Sequence, residues 1–296
     1  MKKLLLVSFL VLAMMLFVSG VASANGGPHG DYTATTDACA GCHRAHTGTS
    51  GKLLIASSTY NLCVSCHGAT GSGANTNVDD GVYLSTRDNT AANADVGATN
   101  TTDNGKLLGG QFANATSTHD PTGTTDQAWG AGNERGVLGT IDKPLDCASC
   151  HDPHGSPNYR IIKETINGVN VSVAQVDEGT NKDYDTVNWG AGQSNVCGAC
   201  HNPYQHKNAD TTTGTFTHKV DTSVGNKYLP ASYTDANGDT VSVPLASGNT
   251  LVCQTCHFPH GTPAQMTGYA SGAGPAGDSA LLRADNRGVC QACHKK

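Results

Sequence analysis

The sequence lacks long apolar runs beyond its first residues, and it is poor in aromatic and basic side chains. Aromatic residues make up 5% of its 296 residues, and 18 Lys and Arg stand against 24 Asp and Glu. An acidic balance argues against a nucleic-acid partner. No run after residue 18 approaches the roughly 18 apolar residues that a membrane helix needs. We therefore expect no transmembrane segment in the mature chain.

The N-terminal residues have the layout of a secretory signal. A basic start, MKK, precedes an apolar run, and the small residues ASA at 22–24 precede Asn25. This order is typical of a cleaved signal peptide. We expect residues 1–24 to be the signal peptide and 25–296 to be one exported domain. Because the signal carries two lysines and no acid, its removal changes the formal net charge from −6 to −8.

Cysteine never occurs outside one motif. The twelve cysteines form six C-x-x-C pairs, and a histidine follows every pair directly. Two thiols one helical turn apart can bond to the two vinyl groups of haem, and the next residue then places an imidazole under the iron. The predicted cofactors are six haem c groups. The predicted attachment residues are Cys39, Cys42, Cys63, Cys66, Cys147, Cys150, Cys197, Cys200, Cys253, Cys256, Cys290 and Cys293, with His43, His67, His151, His201, His257 and His294 as proximal iron ligands.

Two other uses of cysteine fit the pattern less well. Disulfides are common in exported chains, but disulfide chemistry does not require a histidine after each second cysteine. Structural zinc needs four ligands from paired half-sites, and pairing six such triplets leaves surplus donors. Haem attachment uses every cysteine and every motif histidine.

Bound haem also bears on the fold class. With 36 glycines and few aromatic residues, the chain has little side-chain volume to offset its backbone entropy. We expect a multihaem cytochrome c fold, mostly irregular coil with short helices at the motifs and haems forming the core. The Asn-Gly pairs at 167–168 and 237–238 lie between alternating β-formers and predict two β-hairpins. Residues 68–146 hold no motif, and their Gly, Asn and Thr content predicts loop.

Seven histidines lie outside the motifs, and six irons need six second ligands. Methionine is the usual competitor, but Met266 is the only methionine after the signal. Bis-histidine ligation with low potentials is therefore expected. The expected distal ligands are His29, His46, His119, His154, His218 and His260, with His206 as the alternative and either His206 or His29 as the spare.

His46 lies three residues after His43, and two other motifs repeat this spacing. On a helix such a pair shares one face, so both side chains cannot approach one iron from opposite sides. His46, and likewise His154 and His260, should therefore serve a different haem. The other interpretation is that these three histidines are surface residues or partners of haem propionates.

The whole mature chain resembles the OmcS-type hexahaem cytochromes, which polymerise into extracellular nanowires. The resemblance lies in the order of the motifs: CAGCHRAH near the start, a second motif close behind, and a long gap before DCASCHDPHG. A fourth motif follows with His206 and His218 downstream, then a fifth C-x-x-C-H-x-x-H site, and CQACHKK ends the chain. The linkers are shorter and not obviously similar.

The resemblance implies extracellular electron transfer by a homopolymer that is not an enzyme and has no catalytic residue. It implies that His46 binds the iron of the His257 haem in a neighbouring subunit. Upstream electron-donor cytochromes and extracellular acceptors such as metal oxides are the implied partners, and the implied location is the outer cell surface or beyond. A monomeric periplasmic electron carrier and a multihaem reductase are the alternatives.

Overall fold

A computed structural model gives the fold. It describes residues 29, 39–68, 76–78, 82–83, 116–132, 136–175, 191–205, 209–210, 215–216, 218–230, 233–234, 240–241, 243, 245–262, 264–267 and 279–294. The signal-peptide prediction and His206 lie outside these residues. Among the described helices none is long and apolar enough to cross a membrane.

Regular structure comes in short pieces, which confirms the predicted mixture of coil, short helices at the motifs and β-hairpins. The α-helices are α1 (Thr59–His67), α2 (Cys147–Cys150), α3 (Gln193–Gly198), α4 (Asn202–Gln205), α5 (Cys253–Cys256) and α6 (Gly288–Cys293). Single 3-10 turns span Cys39–Gly41, Gly51–Leu53, Tyr159–Ile161, Asn226–Tyr228 and Asp285–Arg287. The strands are β1 (Thr76–Asn77), β2 (Val82–Tyr83), β3 (Ser117–Thr118), β4 (Gln127–Trp129), β5 (Leu138–Thr140), β6 (Thr165–Ile166), β7 (Val169–Asn170), β8 (Ala209–Asp210), β9 (Thr215–Phe216), β10 (Thr222–Ser223), β11 (Tyr233–Thr234), β12 (Thr240–Val241), β13 (Thr250–Leu251) and β14 (Gly261–Thr262).

Hydroxyl side chains inside the motifs fix where the shortest helices begin. In α2 the backbone N–H of Asp146 donates to Ser149 Oγ at 2.9 Å. In α5 the N–H of Val252 donates to Thr255 Oγ1 at 3.1 Å. A residue at the third helical position that bonds back to the cap satisfies a backbone group at the helix start. In these two motifs the residue before the second cysteine thus stabilises the start of the helix that carries both cysteines.

Both predicted hairpins are present. Strands β6 and β7 pair antiparallel around Asn167 and Gly168, whose φ values of 48° and 73° suit a two-residue turn of the primed type. Strands β11 and β12 also pair antiparallel, although their Asn-Gly turn lies outside the described residues. The segment predicted as loop, 68–146, contains the additional pairs β1–β2 and β4–β5.

Buried side chains form small separate clusters. One of them gathers Tyr159, Ile162, Ile166, Val171, Val173 and Ala199. A second one contains Val243, Ala284, Val289 and Ala292. Each of these two described clusters is small compared with the backbone entropy of a chain this long.

The chain repeats one arrangement three times. We number the motifs in chain order: motif 1 (39–43), motif 2 (63–67), motif 3 (147–151), motif 4 (197–201), motif 5 (253–257) and motif 6 (290–294). After each odd-numbered motif the chain turns back and pairs with that motif's histidine. The bridged pairs are His43 with Leu54, His151 with Ile162, and His257 with Leu282.

Backbone hydrogen bonds and dihedral angles repeat in the same register. The carbonyls of Cys42, Cys150 and Cys256 accept from the backbone N–H of Ile55, Lys163 and Arg283 at 3.0, 2.8 and 2.9 Å. Two consecutive residues with positive φ precede each bridge, at 52–53, 160–161 and 280–281. Each return segment leads to an even-numbered motif. Unit 1 therefore holds motifs 1 and 2, unit 2 holds motifs 3 and 4, and unit 3 holds motifs 5 and 6.

Candidate haem sites

The helices of the odd motifs end at or before the second cysteine, and the motif histidine is already extended. His151 has φ −105° and ψ 146°, and His257 has φ −119° and ψ 144°. The premise that His43 and His46 share a helix face is therefore wrong, because the histidine's backbone pairs with the return segment. Three residues after the histidine of each odd motif comes a second histidine, namely His46, His154 or His260. We call it the second histidine of that motif.

Backbone carbonyls orient four of the motif histidines. In each of the four, ring atom Nδ1 donates to a main-chain carbonyl. His43 donates to Lys52 at 2.8 Å, His151 to Arg160 at 3.0 Å, His201 to Trp129 at 2.8 Å and His257 to Ala280 at 2.7 Å. A neutral imidazole that donates through Nδ1 keeps its Nε2 lone pair for a metal. Burial also lowers the pKa of His151, which favours this neutral form.

Five motif histidines each face a histidine from outside the motifs. The ring centres are 5.9 to 6.3 Å apart, and the rings lie between 11° and 42° from parallel. The pairs are His43 with His154, His67 with His29, His151 with His260, His201 with His119, and His294 with His218.

The spacing of these pairs fits one metal between the two rings. A metal–imidazole nitrogen bond is about 2 Å long and the ring centre lies roughly 1 Å behind the nitrogen, so two imidazoles on opposite sides of one metal have centres roughly 6 Å apart. Aromatic rings in ordinary contact also reach this range. Ordinary contact does not explain why each pair joins one motif histidine to one other histidine. The residues present therefore fit bis-histidine haem.

The outer histidines have supports of their own. Nδ1 of His29 donates to the carbonyl of Pro153 at 3.0 Å, and Nδ1 of His119 donates to the carbonyl of Pro259 at 2.6 Å. Nδ1 of His154 lies 3.6 Å from a carboxylate oxygen of Asp152. Each support holds the ring so that its other nitrogen is directed away from the supporting group.

His257 is the exception among the motif histidines. Within the described ranges, no second histidine ring lies at a comparable distance from it. His46 is exposed and forms no such pair within those ranges either. His206, the alternative ligand, lies outside them. The histidines predicted as ligands thus comprise five facing pairs, His257 without a described partner, the exposed His46, and His206 outside the described residues.

Successive motifs are neighbours in space. The side chains of Cys63 and Cys147 are in hydrogen-bond contact, which joins motifs 2 and 3. Those of Cys197 and Cys253 join motifs 4 and 5 in the same way. The other consecutive motifs are close enough for a thiol of one to raise the pKa of a thiol of the other. Cys66 does so for Cys42, Cys200 for Cys150 and Cys290 for Cys256. The motifs follow one another in space in the order of the sequence.

The motif thiols differ in their surroundings, because a side-chain hydrogen bond lowers the pKa of Cys63 and of Cys253 whereas burial raises that of other thiols. Desolvation by burial raises the pKa of Cys150 and of Cys256 to about 12, and that of Cys200 to about 11. Among the described His, Cys, Asp and Glu side chains, no three come close enough to hold a metal ion directly.

The sequence could not reveal the groups that orient the rings. The acceptors from Lys52, Arg160, Ala280 and Trp129 are all main-chain carbonyls. A carbonyl belongs to every residue, so it leaves no signal in the residue type. The pairing of His29 with His67 likewise depends on the path of the chain.

Known proteins supply two matches. The family model described as the doubled CXXCH motif matches residues 31–72 and 142–169, which include motifs 1, 2 and 3. Among solved structures, the chain is similar to the Outer Membrane Cytochrome S filament from Geobacter sulfurreducens, at 17% identity and a TM-score of 0.46. That match covers 87% of this chain and 98% of the other. No curated protein matches this sequence significantly.

Proposed function

We propose that this protein is a c-type cytochrome that transfers electrons through six bis-histidine haem c groups. The observation that carries the proposal is the set of five facing histidine pairs, with ring centres 5.9 to 6.3 Å apart. Each pair joins a C-x-x-C-H histidine to a histidine from another part of the chain. The match to the doubled CXXCH model supports haem attachment.

The residues have separate roles in this proposal. The two cysteines of each motif hold one haem by thioether bonds, and the motif histidine is its first axial ligand. His154, His29, His260, His119 and His218 are the second ligands of motifs 1, 2, 3, 4 and 6. Bound haem supplies the one-electron chemistry. The carbonyls that accept from Nδ1 fix the tautomer and orientation of the rings.

The order of the motifs supports an unbranched route for electrons. Cysteines of motif 1 lie near those of motif 2, and each following motif lies near the next one up to motif 6. An iron with imidazole on both sides has no position for a substrate, so five of the six sites favour a carrier over an enzyme. Whether the sixth site also favours a carrier depends on the second ligand at motif 5.

The motif 5 ligand follows from the register of the odd motifs. The second histidine of motif 3, His154, faces the motif 1 histidine, and that of motif 5, His260, faces the motif 3 histidine. Each odd motif thus offers a histidine to the preceding odd motif. If the same pattern continues from one copy of the protein to another, His46 of one copy faces His257 of the other. We therefore propose a homopolymer joined by this iron–histidine bond.

A polymer of this kind would carry electrons over distances longer than one subunit. The similar solved structure is titled a filament, which agrees with the proposal. We place the protein outside the cell or on its outer surface, between upstream electron-donor cytochromes and extracellular acceptors such as metal oxides. Residues 1–24 serve as the export signal in this proposal.

Haem content and carbon monoxide binding test the chemistry. We expect a pyridine haemochrome assay to give six haems per chain and mass spectrometry to show all twelve cysteines modified. Ferrous polymer should bind almost no carbon monoxide, because both axial positions of each iron are filled. Fewer than six haems, or rapid binding by assembled material, would refute the carrier in favour of zinc, disulfide or reductase chemistry.

Native mass spectrometry and electron microscopy test the polymer. We expect continuous filaments, with His46 density joined to the iron above His257 of the adjacent subunit. Stable monomers at all concentrations, with His206 bound at motif 5, would favour the periplasmic carrier. In isolated wild-type subunits of the polymer-forming protein, one haem should accept carbon monoxide, and assembly should abolish that binding.

A further inference from the structure

Each unit begins with a histidine that serves its own even motif. His29 faces the motif 2 histidine, His119 faces that of motif 4, and His218 faces that of motif 6. We call these three the leading histidines, because each precedes the odd motif of its unit. They occupy equivalent places in the three-fold repeat.

The leading histidines of units 1 and 2 also contact the next unit. Nδ1 of His29 bonds to the carbonyl of Pro153, and Nδ1 of His119 bonds to the carbonyl of Pro259. Pro153 and Pro259 occupy the same position, two residues after the odd-motif histidine of the following unit. The backbone N–H of His119 adds a bond to the carbonyl of His260 at 3.0 Å. A leading histidine is thus part of the joint between consecutive units.

The leading histidine of unit 3 makes no such joint with any residue that the structure describes. His218 is exposed, and in the part of the chain that the structure describes its Nδ1 has no hydrogen-bond acceptor. The position that corresponds to Pro153 in unit 1 is Ala45, two residues after His43. Ala45 is also exposed, and its carbonyl accepts no hydrogen bond from the described residues. The two unused groups match the donor and the acceptor of the internal joints.

We propose that His218 of one subunit donates its Nδ1 hydrogen to the Ala45 carbonyl of the next, so that the contact between copies reproduces the joint between consecutive units. This inference rests on the proposed polymer and adds a second contact to the bond between His46 and the motif 5 iron. His46 directly follows Ala45, so both contacts use one short segment of the incoming copy. Together they fix its position and its rotation.

The test exchanges His218 for a residue that can still bind iron. His218→Met removes the Nδ1 donor and keeps an axial ligand for motif 6. His119→Met makes the same exchange at an internal joint and serves as the matched control. Both variants are checked for six haems and for the near-infrared band of methionine-bound ferric haem. The critical concentration for assembly is then measured by sedimentation.

We expect His218→Met to raise the critical concentration about tenfold, because an interface acceptor loses its donor, and His119→Met to change it less than about twofold. Equal values for the two variants would overturn the second contact while leaving the polymer intact. A wild-type protein that never sediments would overturn the polymer and the second contact together. The two failures are therefore distinguishable.

Ala45→Pro is a second variant that does not alter any haem ligand. Proline is the residue found at both internal joints, and its carbonyl remains available. The N–H that proline removes makes no hydrogen bond to the described residues. We expect a critical concentration equal to or below that of the wild type. A several-fold increase would show that Ala45 does not sit in a joint like those of Pro153 and Pro259, and would overturn the proposal.

Discussion

Units 1 and 2 differ from unit 3 in what surrounds their odd motifs. The motif histidines of the first two face His154 and His260, which come from the following unit. In unit 3, His257 has the same Nδ1 support, from the carbonyl of Ala280, but no described second histidine. Units 1 and 2 are each completed by the unit that follows. In the proposed polymer, the last unit of one copy is completed by His46 of another.

Removal of a ligand inside the chain should have the largest effect. His154→Ala deletes the ring that faces His43 at 6.1 Å, so the motif 1 iron keeps one protein ligand. We expect the ferrous protein to gain one carbon monoxide site per chain, in isolated subunits and in polymer alike. Optical titration with carbon monoxide measures this gain. Unchanged binding in the assembled variant would show that His154 is not the ligand of motif 1.

Removal of the corresponding ligand between chains should affect assembly alone. His46→Ala should keep six haems and wild-type carbon monoxide binding as an isolated subunit, yet fail to form filaments. Electron microscopy and haem assay measure the two outcomes. If the variant polymerises normally, or loses a haem as a monomer, His46 acts within its own chain and the comparison between units fails.

The apolar cluster of unit 2 allows a smaller perturbation. Val173 is 2% exposed within that cluster, whereas Val169 in β7 is 45% exposed. We expect Val173→Ala to lower the free energy of unfolding by roughly 2 kcal/mol. Val169→Ala makes the same chemical change and should cost less than about 0.5 kcal/mol. Denaturant titration of the holoprotein compares them, and equal losses would contradict the packing described for unit 2.

The smallest expected change in stability concerns a threonine between the motif histidine and the residue bridged to it. This threonine is buried in unit 3 and exposed in unit 1. Thr262 is fully buried, and its Oγ1 donates to the carbonyl of Leu282 at 2.8 Å. Thr49 is exposed, and its Oγ1 lies 3.3 Å from the carbonyl of Leu54. Thr262→Val should destabilise the protein by about 1 kcal/mol and Thr49→Val by less. Thermal unfolding compares the two, and the reverse order would contradict the burial of Thr262.

The parts of the fold that depend on neighbours in sequence could be predicted. The turn at Asn167 and Gly168 follows from the ease with which Asn and Gly adopt positive φ, and β6 and β7 pair there as expected. The pairing of β3 with β14 had no such signal. It joins Ser117 to Thr262, which belong to different units and are separated by most of unit 2.

The candidate site divides in the same way. Each C-x-x-C-H motif is a local pattern, so its cysteines and histidine could be named from the sequence. The partner of a given motif histidine depends on how units stack, as when His151 of unit 2 meets His260 of unit 3. The repeat of three units is hidden in the sequence because the motifs of a unit are spaced differently. From the first cysteine of one motif to that of the next there are 24 positions in unit 1 and 50 in unit 2.

The carbonyl supports of the rings have a consequence for sequence drift. Lys52, Arg160 and Ala280 have unrelated side chains but give the same group to the same nitrogen. At these three places the imidazole bonds to the main chain, so the residue type can differ from one unit to the next. Related chains could therefore replace nearly everything except cysteine and histidine and still hold the rings in place. Residue identity is consequently a poor measure of kinship for such a molecule.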